Sequence, residues 1–338
     1  MNSLTLPEPF AALALCDSRG QLNPQAIGWS PRPMVDCAIP GHFGRRKRWN
    51  HWCITTPHWM LSFTQADLDY LGYAAAYFLD LETGQAAAFS QFHLLGRGHD
   101  LPDQPQKSHA FNHPHLQLRV AEQAGRSCIT INASSIGGQP LQVDLDVQRP
   151  AHLDSVNLVA PLGPKCFHAT SRHLGLPCSG SVRLGKQQYS CPTGQSFASL
   201  DFGRGVWPFN SHWTRAAFAA PGGIAGNFGS GWTDYSGLSE NTLWFGGELQ
   251  HLDIPITITI TQSPHSSLAP WQLRSPGNSV NLTFTPRQRH KAYRRLGPFY
   301  ADTRQWFGHF DGVLHGPQGE RVPVQNALGW LGDTRARW

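Results

Sequence analysis

Leu141-Gln142-Val143-Asp144-Leu145-Asp146-Val147 alternates apolar and polar residues without a break. That period of two marks a strand with one face buried and the other wet. The same rhythm returns on either side, in Cys128-Ile129-Thr130-Ile131-Asn132, in Ile254-Pro255-Ile256-Thr257-Ile258-Thr259-Ile260 and in Val280-Asn281-Leu282-Thr283-Phe284. Turn formers separate these runs at short intervals: Glu82-Thr83-Gly84, Gly137-Gly138, Gly246-Gly247, Pro276-Gly277-Asn278 and Gln318-Gly319-Glu320. No window sustains apolar spacing of three and four residues with caps at both ends, so helices are not expected. The sequence predicts an all-β protein of antiparallel barrels or sandwiches.

A chain of 338 residues suits two medium units better than one ordinary domain. Its 34 glycines and 26 prolines, with only 14% charged residues, describe short elements ended by turns rather than a disordered chain. Arg149-Pro150, Ala160-Pro161, Gly163-Pro164 and Leu176-Pro177-Cys178-Ser179-Gly180 interrupt the strand pattern. The expected division is a Pro- and Gly-rich arm over residues 1–44 that wraps the fold, a first β-barrel domain over 45–175 and a second over 176–338.

Several function classes are disfavoured. The net charge of +5 is carried mostly by arginine, and Arg45-Arg46-Lys47-Arg48 reads as a solvated face or at most a phosphate site. No nucleic-acid partner is expected. The seven cysteines are odd in number, widely spaced and without a C-x-x-C pair, which fits neither a disulfide framework nor a zinc knuckle. Residues Met1 to Leu15 lack a basic start before their short apolar run, and no apolar run reaches bilayer length. A cytoplasmic protein with reduced thiols is expected. His109, His113 and His115 crowd one stretch, but spacing alone does not converge ligands, so no metal is expected. G-x-S-x-G, P-loop and dinucleotide signatures are absent, so no cofactor is expected either.

The candidate site lies in Leu200-Asp201-Phe202-Gly203-Arg204-Gly205-Val206-Trp207-Pro208-Phe209, followed by Trp213, Trp232-Thr233-Asp234 and Glu240. Glycine admits close approach and tryptophan builds walls, so the segment reads as the lining of a pocket. Asp201 and Arg204 emerge together from a tight bend, either as a charge-assisted pair holding it or with Asp201 as a proton donor or acceptor tuned by Arg204. Asp234 and Glu240 form a second acidic pair, suited to acid–base work, with backbone capping as the plain alternative for Asp234. In the first half, Trp49 and Trp52 follow the basic run that ends at Arg48, and the Thr64–Tyr70 segment, read as extended, sets Asp67 and Asp69 on one strand face from which they reach that run across the sheet. Either an Arg48–Asp69 salt bridge is structural, or an arginine of that network reads a ligand carboxylate or phosphate.

The sequence resembles the bacterial domain-of-unknown-function 2804 family over essentially its whole length. Leu22-Asn23-Pro24 with Gly28-Trp29-Ser30, Arg46 to Cys53, Asp67-Leu68-Asp69-Tyr70, Leu200 to Pro208, Trp232-Thr233-Asp234, and Gly329-Trp330 with Ala336-Arg337-Trp338 carry the likeness. In overall pattern it is also similar to the lipocalin-like group of carotenoid hydratase and AttH, which implies two β-barrel domains side by side and a ligand cavity. Three functions follow as expectations. The first is a cofactor-independent hydratase, dehydratase or isomerase acting on a small apolar or amphipathic molecule through Asp201, Asp234 and Glu240, with Arg204, Trp207, Trp213 and Trp232 lining the pocket. The others are a binding protein without chemistry and a carbohydrate-active protein.

Overall fold

The computed structural model describes residues 12–96, 98–261 and 268–338; the first eleven residues of the expected arm lie outside them. The chain is all-β, with two short 3-10 turns as the helical elements among the described residues. Its strands form two curled antiparallel half-barrel sheets, as expected of two lipocalin-like domains, and one short parallel pair, Leu13–Ala14 with Val35–Asp36. No helix is long and apolar enough to cross a membrane.

Among the described residues, those from 12 to 161 and from 165 to 207 form one compact unit, and 162–164 with those from 208 to 338 form the other. The division falls after Trp207 and not at 175/176. Of the Pro and Gly residues that read as a boundary, Pro161 and Gly163 lie in the strand Val156–Gly163, and Pro177 and Gly180 lie inside the next, Cys166–Leu184. Between His173 and Leu176 its register shifts, and Gly175 takes a φ of +67° there. A bulge of this kind bends a strand without ending it. The first part of the strand pairs with Phe197–Val206, and the remainder with Gln139–Gln148.

In the first unit a 14-stranded sheet buries one continuous core. Its centre is the run Trp59–Asp67, Arg46–Thr55, Phe197–Val206 and Cys166–Leu184, each paired to the next. The Leu141–Val147 alternation behaves as read: Leu141, Val143, Leu145 and Val147 are buried, whereas Gln142 and Asp144 are exposed. Of the expected arm, Gly28–Ser30 joins this sheet by pairing with Val156–Gly163, and Leu15, Ala26 and Cys37 are buried in the core.

The second unit is a nine-stranded sheet around its own core. Three strands of 17 residues dominate it: Val280–Leu296, Phe299–His315 and Arg321–Arg337. Asn210–Ala220 and Ile224–Ser230 continue the sheet beyond the last of these.

Candidate functional site

Period-two geometry sorts the Leu200–Val206 stretch into two faces, because Phe197–Val206 is an unbroken strand. Leu200, Phe202 and Val206 point into the core and Arg204 shares their face. Asp201, Gly203 and Gly205 lie on the other. Asp201 and Arg204 are therefore not a pair at a bend: an odd separation on a strand sends them to opposite sides of the sheet.

Arg204 is fully buried and stacks 3.8 Å above the Phe202 ring. Nε and Nη2 donate to the Pro102 carbonyl, Nη1 donates to the carbonyls of Trp49 and Gly203 at 2.7 Å each, and Nη2 also donates to Asn50 Oδ1 at 2.9 Å. All five N–H groups are thus used on neutral acceptors. Burial pulls its pKa down to about 9, so it stays charged at neutral pH and ties three segments together.

The glycine face gathers a carboxylate, an imidazole and two indoles. A side chain at Gly203 would meet the Trp49 ring at 2.2 Å, and one at Gly205 would meet the Phe167 carbonyl at 2.5 Å and the His168 ring at 2.9 Å. The glycines are there because an indole and an imidazole lie over this strand. Trp49 Nε1 donates to Asp201 Oδ1 at 2.9 Å, and the Trp49 ring stacks on His168 with centroids 4.8 Å apart. Trp207 meets the edge of the imidazole, with centroids 4.9 Å apart, and donates Nε1–H to His168 Nδ1 at 3.2 Å. An indole nitrogen only donates, so this bond assigns His168 as the neutral tautomer with its proton on Nε2. Asp201 also forms an ion pair with Arg172, directly opposite it in the neighbouring strand. The carboxylate side chain is 12% exposed and the guanidinium 3%.

Trp52 faces the other way, fully buried in the core against Phe63 and Arg149. On its side of the sheet, Arg48 pairs with Asp67, and Arg46 with Asp69 at 2.7 Å, in place of the expected Arg48–Asp69 bridge. Asp67 ends its strand whereas Asp69 sits in the following turn at φ +68°, so the two carboxylates do not share a strand face. Asp69 Oδ2 accepts from the Gly44 and Arg46 amides, and Asp67 Oδ1 accepts from the Asp69 amide. Lys47 is buried with Nζ 4.7 Å from the Tyr70 ring, and burial lowers its pKa to about 8. Deeper on the Asp67 side, His109 donates from Nδ1 to Gln65 Oε1 at 2.8 Å, while the Gln65 amide donates to the Ala110 carbonyl. Burial holds His109 neutral with a pKa of about 3, and His99 with a pKa of about 4. No group of three or more His, Cys, Asp or Glu side chains is disposed to hold a metal ion among the described residues.

The second unit holds Asp234 and Glu240, so the three expected catalytic carboxylates are divided between the units. Asp234 is exposed, and its Oδ1 accepts from the Gly231 amide at 2.8 Å, the capping geometry. Glu240 is fully buried. Its Oε1 accepts from Trp232 Nε1, its Oε2 lies 3.5 Å from Asn227 Nδ2, and the buried Arg215 guanidinium is 3.9 Å away. Arg215 lies over the Trp330 ring, and burial lowers its pKa. Gly229 makes room for the carboxylate, since a Cβ there would meet Glu240 Oε1 at 2.2 Å. Trp213 stacks on Trp338 at 5.8 Å.

Sequence reasoning does not reach His168, Arg172, Arg215 or Asn227. His168 and Arg172 fall in the stretch that reads as a boundary, and only the cross-strand register brings them beside Trp49 and Asp201. The one signal in the sequence is the Gly203-Arg204-Gly205 spacing, which says that something flat covers that face.

A family model described as a domain of unknown function, DUF2804, matches residues 7–338. No curated protein matches the chain. Among solved structures, an AttH-like protein of Nitrosomonas europaea is 12% identical, with 86% of this chain and 92% of that chain covered at a TM-score of 0.55. Kievitone hydratase of Nectria haematococca is 11% identical over 86% of this chain and 88% of that chain, at a TM-score of 0.47. The first likeness concerns the fold alone.

Proposed function

The chain belongs to the family of the domain of unknown function 2804, and from that premise we propose that it acts on a small apolar or amphipathic molecule by cofactor-independent acid–base chemistry. The reaction is of hydratase, dehydratase or isomerase type, and its centre is the glycine face of the Phe197–Val206 strand. The observation that carries this reading is Trp49. One indole hydrogen-bonds the Asp201 carboxylate at its edge and stacks on the His168 imidazole with its face, which gathers two titratable side chains around one ring.

Arg172 favours the ionised form of Asp201, which makes the carboxylate a base. His168 in this tautomer offers an N–H donor at Nε2, which is buried in the resting fold, so the ring serves to orient a substrate that enters the nest and not to give up its proton. In a hydration, Asp201 takes a proton from water as the oxygen bonds to carbon and then delivers that proton to the adjacent carbon, which restores the carboxylate, while His168 orients the substrate as a hydrogen-bond donor. Dehydration is the reverse. Trp49 and Trp207 provide π faces that favour developing positive charge on the substrate. In this reading Asp234 and Glu240 are structural, because one caps a turn and the other is sealed from solvent.

A second reading, a binding protein without turnover, is favoured by the pairing of Asp201 with Arg172, since paired buried charges also serve as scaffolding. Ligand extracted from the purified protein and identified by mass spectrometry supplies the compound for both tests. The acid–base reading expects Asp201→Asn and His168→Gln to bind this compound, by tryptophan quenching, while losing hydration, dehydration or isomerisation. Asp201→Glu, which keeps the charge opposite Arg172, guards against loss of folding and is expected to turn over slowly. Undiminished turnover in both Asp201→Asn and His168→Gln would exclude the assignment, and binding with no conversion by the unaltered protein would establish the second reading.

A further inference from the structure

We propose that the end of the second unit's long β-ribbon docks on an anionic lipid bilayer surface. The ribbon is formed by Val280–Leu296 and Phe299–His315, joined at Gly297-Pro298, with Arg321–Arg337 alongside. A register shift between Pro286 and Gln288 changes which side chains of the first strand face the core. Beyond it, the rows across the sheet are Lys291, Arg304 and Asp333; Tyr293, Asp302 and Arg335; Arg295, Tyr300 and Arg337. Residues in one row point to one side of a sheet, and so do alternate rows. Arg289, Lys291, Arg295, Arg304, Arg335 and Arg337 therefore share a face.

Charge is concentrated here. Residues 287–304 and 333–337 carry eight Arg or Lys and two Asp, a net charge one greater than the +5 of the entire chain. Both acids are engaged, Asp302 with Arg304 at 3.0 Å and Asp333 with His212 at 2.7 Å. Arg289, Lys291 and Arg335 are exposed and make no hydrogen bond or ion pair among the described residues. The basic run Arg46–Arg48 of the first unit differs, because Asp67 and Asp69 already neutralise its arginines.

The apolar groups at the tip select the partner. Leu296 is 50% exposed and Tyr293 is 49% exposed, beside Arg294 and Arg295. An exposed leucine gains nothing from phosphates in water. At a bilayer it enters the acyl boundary, tyrosine occupies the headgroup level, and the cations behind them meet anionic headgroups.

Co-sedimentation of the full-length protein with vesicles of mixed phosphatidylserine and phosphatidylcholine tests this. Binding is expected to vesicles containing phosphatidylserine, to fall at high salt, and to be near background on pure phosphatidylcholine. Each cation removed weakens it by roughly fivefold, so Lys291→Gln with Arg295→Gln loses about 25-fold. Leu296→Ser is expected to weaken binding with its salt dependence retained. Thermal melting identical to that of the unaltered protein confirms that these exposed substitutions leave the fold intact. Equal binding to both vesicle types, no binding at low salt, or full binding by the double variant overturns the proposal. A single-stranded oligonucleotide bound more tightly than the vesicles at the same salt overturns it in favour of a nucleic-acid face.

Discussion

The Asp201 nest of the first unit and the Glu240 nest of the second are built from the same three parts. Each has a carboxylate, an indole N–H that donates to it and a buried arginine. In both, a strand glycine clears the space: Gly203 for the Trp49 ring and Gly229 for the Glu240 carboxylate. They differ in access to water and in company. The Asp201 side chain keeps an exposed edge and has an imidazole on its own face, whereas Glu240 is sealed and its neighbour Asn227 cannot titrate. A proton must have a route in, so the two nests share a composition and not a capability.

The largest expected effect is in the sealed nest. Arg215→Met leaves the Glu240 charge unpaired and is expected to lower unfolding stability by about 3–5 kcal/mol in urea titrations, with Arg215→Met/Glu240→Gln recovering part of it. Trp207 is 4% exposed, so Trp207→Ala is expected to lose a similar amount, about 3–5 kcal/mol, together with ligand affinity. Next comes Asp201→Asn, at about 1–3 kcal/mol, because water reaches the edge of that nest. Equal losses for Asp201→Asn and Arg215→Met would erase the distinction between them. Gly203→Ala drives a methyl into the Trp49 ring and is expected to lower stability by about 1–3 kcal/mol and to alter turnover, whereas Gly229→Ala alters stability alone.

The last comparison is in pH. His99 and His109 have folded pKa values of about 4 and about 3, below the ordinary 6.5. The unfolded chain therefore takes up protons that the folded chain refuses as pH falls from 6.5. Their contribution is complete above pH 6.5 and is lost progressively down to about pH 3. Urea midpoints measured across that window are expected to fall with acidification, and less steeply in His109→Gln, whose side chain does not titrate.

Legibility in the sequence follows the range of the interaction. Strands such as Leu141–Val147 were readable because burial of one face imposes a period of two on neighbouring residues. Gly203 and Gly205 were readable as places of close approach. Their cover was not, because Trp49 and His168 arrive from two different neighbouring strands. The Pro and Gly run before Gly180 misled in the opposite direction: local chemistry describes a break, and pairing on both sides of a bulge makes it one bent strand. Basic residues misled in the same way. Arg45 to Arg48 form the tight run, yet Asp67 and Asp69 answer it, while the ribbon's cations are scattered in sequence and gathered only by cross-strand rows.

By itself the sequence determined the all-β class and the family, since periodicity, turn residues and local motifs need no distant partner. Tertiary structure alone decided that Asp201 answers to Arg172 and not Arg204, that Arg204 is spent on carbonyls, and that Glu240 is closed off. The physical reason is register. A slip of one residue exchanges the two faces of a strand, and no local preference records which residue of another strand will lie opposite.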